Sequence, residues 1–375
     1  MGENWKKLSD ISDRQLTPML RQYLQAKAEC PDSILFFRMG DFFEMFFEDA
    51  IEASRLLGLT LTSRDGTDKG DRVPMCGVPF RAVDNYVARL IRAGKTVTIC
   101  DQIEDPAEAK GIVKRAVIRT ITPGTVMEPN LLDETANNYL AALSMHGGQA
   151  GLAFVDVTTG EFLAARIDGD PERVIQDELT RMAPTEVLFP ADLDAATLER
   201  LRRRFDAMCF TARPEHDFEP ESARERLLDE SARERLLDQF GLSTLKGLGL
   251  EDLPEATGCA GAVLAYVKET QRGCVPHLRY PRHYSPSHFV VLDGNTQRNL
   301  ELVESLTDRR KHGTLLGVLD RTHTSMGGRK LRHWILHPLV DVGAIQQRLD
   351  AVGDLFDNTE LRVRRKEALQ DVADL

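Results

Sequence analysis

Between residues 17 and 29 the apolar positions Met19, Leu20, Tyr23 and Leu24 recur at the spacing of an amphipathic helix, which Cys30-Pro31-Asp32 stops. The run Ile34-Leu35-Phe36-Phe37 predicts a buried strand. It feeds Met39-Gly40-Asp41-Phe42-Phe43-Glu44-Met45-Phe46-Phe47, four phenylalanines and one carboxylate directly after a Gly-Asp turn. In extended backbone Phe42 and Glu44 share one side, while Phe43, Met45 and Phe47 share the other. Glu48 and Asp49 ahead of Ile51, Leu56, Leu57 and Gly58 describe a helix with an acidic first turn and a Gly C-cap. A strand at 59–63, a polar loop at 64–72 and a Pro/Gly-punctuated surface segment at 73–80 follow. A helix at 82–93 capped by Gly94 then precedes strands at 96–103 and 116–122. Strands alternating with helices in this way predict an α/β domain over residues 1–121.

Thr122-Pro123-Gly124-Thr125 is a turn, and residues 122–138 read as a linker. Strands at 139–143, 151–157 and 161–167, joined by Gly147-Gly148 and Thr159-Gly160, predict an antiparallel meander. A helix at 171–182 and a strand at 186–189 complete a second α/β pattern, assigned to residues 139–275. Residues 221–229 recur unchanged as 230–238, which reads as a local duplication with one copy looped or exposed. Beyond Gly249 the pattern turns helical. An amphipathic stretch spans 259–269, strands around 288–292 lead to a helix at 295–306, and residues 314–340 hold two helical segments separated by Met326-Gly327-Gly328. Residues 344–375 are helical nearly throughout and keep an apolar stripe of Leu369, Val372 and Leu375 with no C-cap, as expected of a cut end in a helical domain of 283–375.

Charge refines this picture. The net charge of −11 opposes a simple nucleic-acid-binding protein, because phosphate affinity normally needs a Lys/Arg excess. Residues 1–121, however, hold 18 Lys+Arg and 18 Asp+Glu, so this part is neutral and the rest carries the whole deficit. Arg81, Arg89, Arg92, Lys95, Lys114, Arg115 and Arg119 leave room for a local basic face. No apolar run approaches the ~20 residues of a membrane span, and the polar N-terminus lacks a secretory h-region, which fits a cytoplasmic protein. Cys30, Cys76, Cys100, Cys209, Cys259 and Cys274 form no C-x-x-C pair and read as reduced thiols.

Catalytic signatures are weak. Gly94-Lys95-Thr96 resembles the tail of a phosphate loop, but Arg89 stands where its first Gly belongs, and the helix precedes the strand. Asp41, Glu44, Glu48 and Asp49 define the alternative reading, a metal-dependent nuclease. Glu48 and Asp49 suit a helix N-terminus without any metal. Asp156 on a central strand has no accompanying carboxylate set.

Four stretches carry a resemblance: Phe37 to Phe46, Pro74 to Phe80, Ile121 to Thr125, and Thr314 to Pro338. On them the chain resembles the N-terminal part of MutS-family DNA mismatch-repair proteins. Position 43 is Phe where many relatives have Tyr. The resemblance implies a mixed α/β mismatch-recognition domain, a ribonuclease-H-like α/β connector without catalysis, and an all-α core or lever portion. It implies Phe42 as a wedge stacking on a mispaired base and Glu44 as a hydrogen-bonding reader of that base. The expected partners are mismatched double-stranded DNA, MutL through the connector, and a second copy in the full-length protein. No cofactor is expected within these domains, since ATP and Mg belong to the ATPase domain of full-length relatives. A protein-interaction module binding MutL is a further alternative.

Overall fold

The computed structural model describes residues 17–64, 72–104, 111–220, 231–272, 275, 277–370 and 372. The loop expected at 64–72 and the first copy of the duplication lie almost wholly outside these residues, as do Cys274 and Leu375. The chain divides into two compact units, residues 1–128 with 266–276, and residues 129–265 with 277–375.

The first unit is built on helix α1 (Pro18–Glu29), strands β1 (Ile34–Met39) and β2 (Phe42–Phe46), helix α2 (Phe47–Leu57), strands β3 (Thr62–Arg64) and β4 (Val73–Pro79), helix α3 (Val83–Arg92), and strands β5 (Val97–Gln102) and β6 (Arg115–Ile121). The Thr17 hydroxyl caps α1 by accepting from Leu20 N, and Gly58 ends α2 in the left-handed region at φ +67. The sheet order is β3-β4-β2-β1-β5-β6. β1 runs antiparallel to β2 and parallel to β5.

The segment at 73–80, expected as a Pro/Gly-punctuated surface segment, is a strand over Val73–Pro79. β4 pairs with the whole of β2 through Met75–Pro79 and buries Pro74, Cys76 and Val78 in period-two alternation. Pro74 falls outside the register with β2, and Pro79 is the last residue of the strand. β3 also falls later than expected, at 62–64 instead of 59–63.

The second unit contains β7 (Tyr139–His146), β8 (Gln149–Asp156) and β9 (Phe162–Ile167), an antiparallel meander, followed by α4 (Pro171–Met182), β10 (Glu186–Pro190), α5 (Ala195–Arg204) and β11 (Cys209–Arg213). β10 lies parallel to both β7 and β11. Helices α6 (Ala232–Phe240) and α7 (Pro254–Thr270, of which 266–270 count with the first unit) and the short strand β12 (Arg282–His283) follow, and the sheet order is β11-β10-β7-β8-β9-β12. In the second copy of the duplication, Leu236 is fully buried and α6 begins with a Ser231/Glu234 capping box.

Helix α7 is not amphipathic. Ala256, Cys259, Ala260, Ala262, Val263 and Leu264 are all buried because small residues admit neighbouring backbone on several sides. A Cβ at Gly258 would meet Phe218 O at 2.1 Å, and one at Gly261 would meet the Ala232 Cβ at 2.2 Å.

The C-terminal portion is helical, with α8 (Gly294–Asn299), α9 (Leu315–Leu319), α10 (Ser325–Leu336), α11 (Val342–Asp357) and α12 (Thr359–Gln370). Three expectations change here. Residues 288–292 form no strand, only a bridge between Phe289 and Leu339. The helix expected at 295–306 ends at Asn299, and Glu301 takes φ +45. Helix α10 runs straight through Met326-Gly327-Gly328, and Gly328 is buried where its missing side chain lets Thr135 approach. The break falls instead at Asp320–Thr324, where Asp320 accepts from Thr322 and Thr324 caps the helix.

Candidate nucleic-acid interface

Strand β1 reverses into β2 through Gly40-Asp41, with Met39 paired to Phe42. Gly40 takes φ +58, the positive value that primed two-residue hairpin turns demand. From this turn the alternation of β2 sorts its side chains. Phe43 and Met45 are buried on one face of the sheet, with the Phe43 ring 6.2 Å from Phe36. Phe42 and Glu44 emerge on the opposite face, Phe42 47% exposed and Glu44 half-buried. Gly77 lies directly across from Glu44 on β4, and a Cβ there would come within 3.5 Å of the Glu44 Cγ.

The same face closes over at its other end. Phe46 is fully buried beneath α1, where Tyr23 meets it edge-on at 5.0 Å and meets Phe37 at 5.6 Å. Phe47 departs from simple alternation. It takes φ +55 as the chain leaves the strand, and it packs with Tyr23, Phe37 and Phe46 rather than with Phe43 and Met45. A left-handed conformation in a bulky residue costs on the order of 1–2 kcal/mol, which burial of the ring offsets.

The four carboxylates of the nuclease alternative do not converge. Asp41 is exposed on the turn and Glu48 is exposed on α2. Asp49 is buried, with Lys27 Nζ donating at 2.9 Å, Tyr23 OH at 3.1 Å and Leu35 N at 3.0 Å. Burial pushes its carboxyl above the usual range, opposed by Lys27. Asp49 therefore ties α1, β1 and α2 together. Asp156 is likewise held, accepting from Asn137 and Thr158, and Asn137 also reaches Glu161 at 3.3 Å. Among the described residues no group of three or more His, Cys, Asp or Glu could hold a metal ion.

Several of the basic residues singled out above already have protein partners. Lys95 pairs with Glu52 and Arg119 with Glu128, each at 2.6 Å, and Arg89 donates to Leu56 O. Arg115 lies over the Phe37 ring and donates to Arg38 O at 2.6 Å. Burial lowers its pKa, while the charges of Cys100, Asp101 and Glu44 oppose that shift. Arg81 and Arg92 remain exposed. Sequence reasoning assigned no role to Arg38 or Phe80, whose stacking behind the turn depends on the β2–β4 pairing. That pairing stays hidden while 73–80 reads as a Pro/Gly-punctuated surface segment.

An α/β sheet, a second α/β sheet and a helical stretch, in that order, correspond to three successive MutS domain types. The sequence matches the models of MutS domain I over residues 17–130, MutS domain II over 138–279 and MutS domain III over 295–375. The chain belongs to the MutS family. Proteins named DNA mismatch repair protein MutS are similar along nearly its whole length. The one from Desulfatibacillum aliphaticivorans is 44% identical over 97% of this chain and 40% of its own length. The one from Symbiobacterium thermophilum is 45% identical over 96% and 40%, and that from Solibacter usitatus 42% identical over 98% and 41%. The chain thus spans about two fifths of the length of the curated relatives it matches. Among the described residues no helix is long and apolar enough to cross a membrane.

Proposed function

We propose that this chain takes part in DNA mismatch repair by recognising mismatched or looped base pairs, with residues 1–121 as the recognition domain and Phe42 and Glu44 as its reading pair. The observation that carries this is the 47% exposure of Phe42 in a strand whose other aromatics are 2% exposed or less. An exposed apolar ring can wedge between base steps in the minor groove, at a cost of a few kcal/mol in lost stacking. A mismatched step is poorly paired and deforms more cheaply, so the wedge separates damaged from intact duplex without reading sequence. Glu44 on the same face hydrogen-bonds the displaced base. Nearby phosphates raise its pKa in the complex, so it donates part of the time.

In this reading residues 139–275 are a ribonuclease-H-like connector that meets MutL, residues 283–375 begin the core or lever portion, and a second copy joins in the full-length protein. The role is binding rather than catalysis, with no cofactor required of these domains. Equilibrium binding at fixed salt to a mismatched and a matched duplex tests it. Phe42→Ala should abolish the preference and keep weak, salt-sensitive binding. A preference that survives in Phe42→Ala contradicts the reading. Glu44→Gln should discriminate at least as well at high pH as at low pH, and the reverse would rule out a protonated Glu44.

A further inference from the structure

The turn that carries Phe42 has two residues, and the carbonyls of both are held. Arg38 Nε donates to Gly40 O at 2.5 Å, and the Phe80 backbone N–H donates to Asp41 O at 2.8 Å. The two donors also hold each other. The Arg38 guanidinium carbon lies 3.5 Å from the Phe80 ring centroid and 5.5 Å from that of Phe43. Arg115 fixes the strand behind them through its bond to Arg38 O. Strand alternation sets Arg38 on the side of Phe36 and Phe43, opposite Phe42, and the Phe80 ring sits 5.8 Å from Phe43 on that side.

We propose that Arg38 and Phe80 act as positioning residues, a clamp that fixes the Gly40-Asp41 turn in the geometry that presents Phe42 before any duplex arrives. The functional consequence rests on the wedge reading given above. A hairpin tip left to itself is marginal in water, and whatever freedom it keeps is surrendered on binding. That loss falls on a wedge more heavily than on a phosphate contact, because only the wedge must hold its aim while it unstacks bases. A guanidinium suits the task because one planar group stacks on a ring and donates in the same geometry.

Backbone ¹⁵N relaxation of the 375-residue chain tests the clamp without DNA. The Gly40, Asp41 and Phe42 amides should be rigid, with order parameters of about 0.85, and should fall below about 0.6 in Arg38→Met and in Phe80→Leu. Amides of α2 and α3 should not change, and Phe80→Tyr, which keeps the ring face, should stay rigid. Rigid turn amides in both Arg38→Met and Phe80→Leu overturn the proposal. With duplexes, Arg38→Met should lose about tenfold in mismatch preference, about 1.4 kcal/mol, while matched-duplex affinity holds. Equal losses on both duplexes with an unmoved turn make Arg38 a phosphate contact and also overturn it. Phe42→Ala distinguishes the two ideas. If that variant keeps the mismatch preference the wedge reading fails, while relaxation still judges the clamp.

Discussion

Phe42 and Phe46 lie four residues apart on one face of β2, yet one is 47% exposed and the other fully buried. Residue type and strand register do not separate them. What differs is cover: α1 lays Tyr23 on Phe46, and the Lys27–Asp49 pair pins that helix to β1 and α2, whereas the described residues leave Phe42 at the hairpin end about half exposed. One strand is thus core at one end and open to solvent at the other. The clamp of Arg38 and Phe80 supports the open end from behind instead of covering it.

The sharpest way to break this comparison is to truncate the covered end. Phe46→Ala should cost about 3–5 kcal/mol in urea unfolding as a core cavity opens. Asp49→Ala should cost about 3 kcal/mol, because it strands Lys27 and leaves Tyr23 OH and Leu35 N without their acceptor. Losses below about 1 kcal/mol in both would mean that α1 is not the lid described here.

Acid should separate the two units. Burial lowers the pKa of His333 to about 4 and that of His337 to about 3, so both are neutral in the fold. Below their ordinary value near 6.5 the unfolded chain takes up protons that the folded chain refuses. Their contribution is therefore present above that pH and is lost as pH falls toward 4 and 3. Asp49 runs the other way, since its raised pKa makes its contribution grow as pH falls through that raised value. Hydrogen exchange at pH 7 and pH 5 should show protection of α10 falling before that of β1 and β2, and the opposite order would contradict this assignment.

The smallest effect on stability belongs to the open end. Phe42→Ala should shift unfolding by no more than about 0.5 kcal/mol, as for an exposed side chain away from caps and buried networks. A larger shift would show that Phe42 is part of the core.

Much of this was legible in the sequence where one period dominates. The meander at 139–167 and α4 at 171–182 emerge from alternation, Gly-containing turns and a clean helical stripe. Legibility failed where tertiary packing overrides local signals. The prolines of β4 read as punctuation because its partners on β2 lie 29 to 37 residues away along the chain. Helix α7 has no polar face to reveal its period, being enclosed through Ala and Gly contacts. Gly327-Gly328 looked like a break, yet it is a site of close packing, Gly327 against Thr322 and Gly328 against Thr135. At the candidate site the alternation of β2 was readable, and Phe47 was misassigned because φ +55 at the strand exit turns it toward α1. Arg38 and Phe80 were present in the recognised stretches, but their stacking exists only once the sheet is assembled.

The central claim is that Phe42 stacks on the mispaired base. A duplex carrying 2-aminopurine at the mismatch reports this stacking directly through its fluorescence. The account predicts a change in emission on adding the chain, retained in Phe42→Tyr and absent in Phe42→Ala. The same change with Phe42→Ala, or none with the unaltered chain, would contradict it.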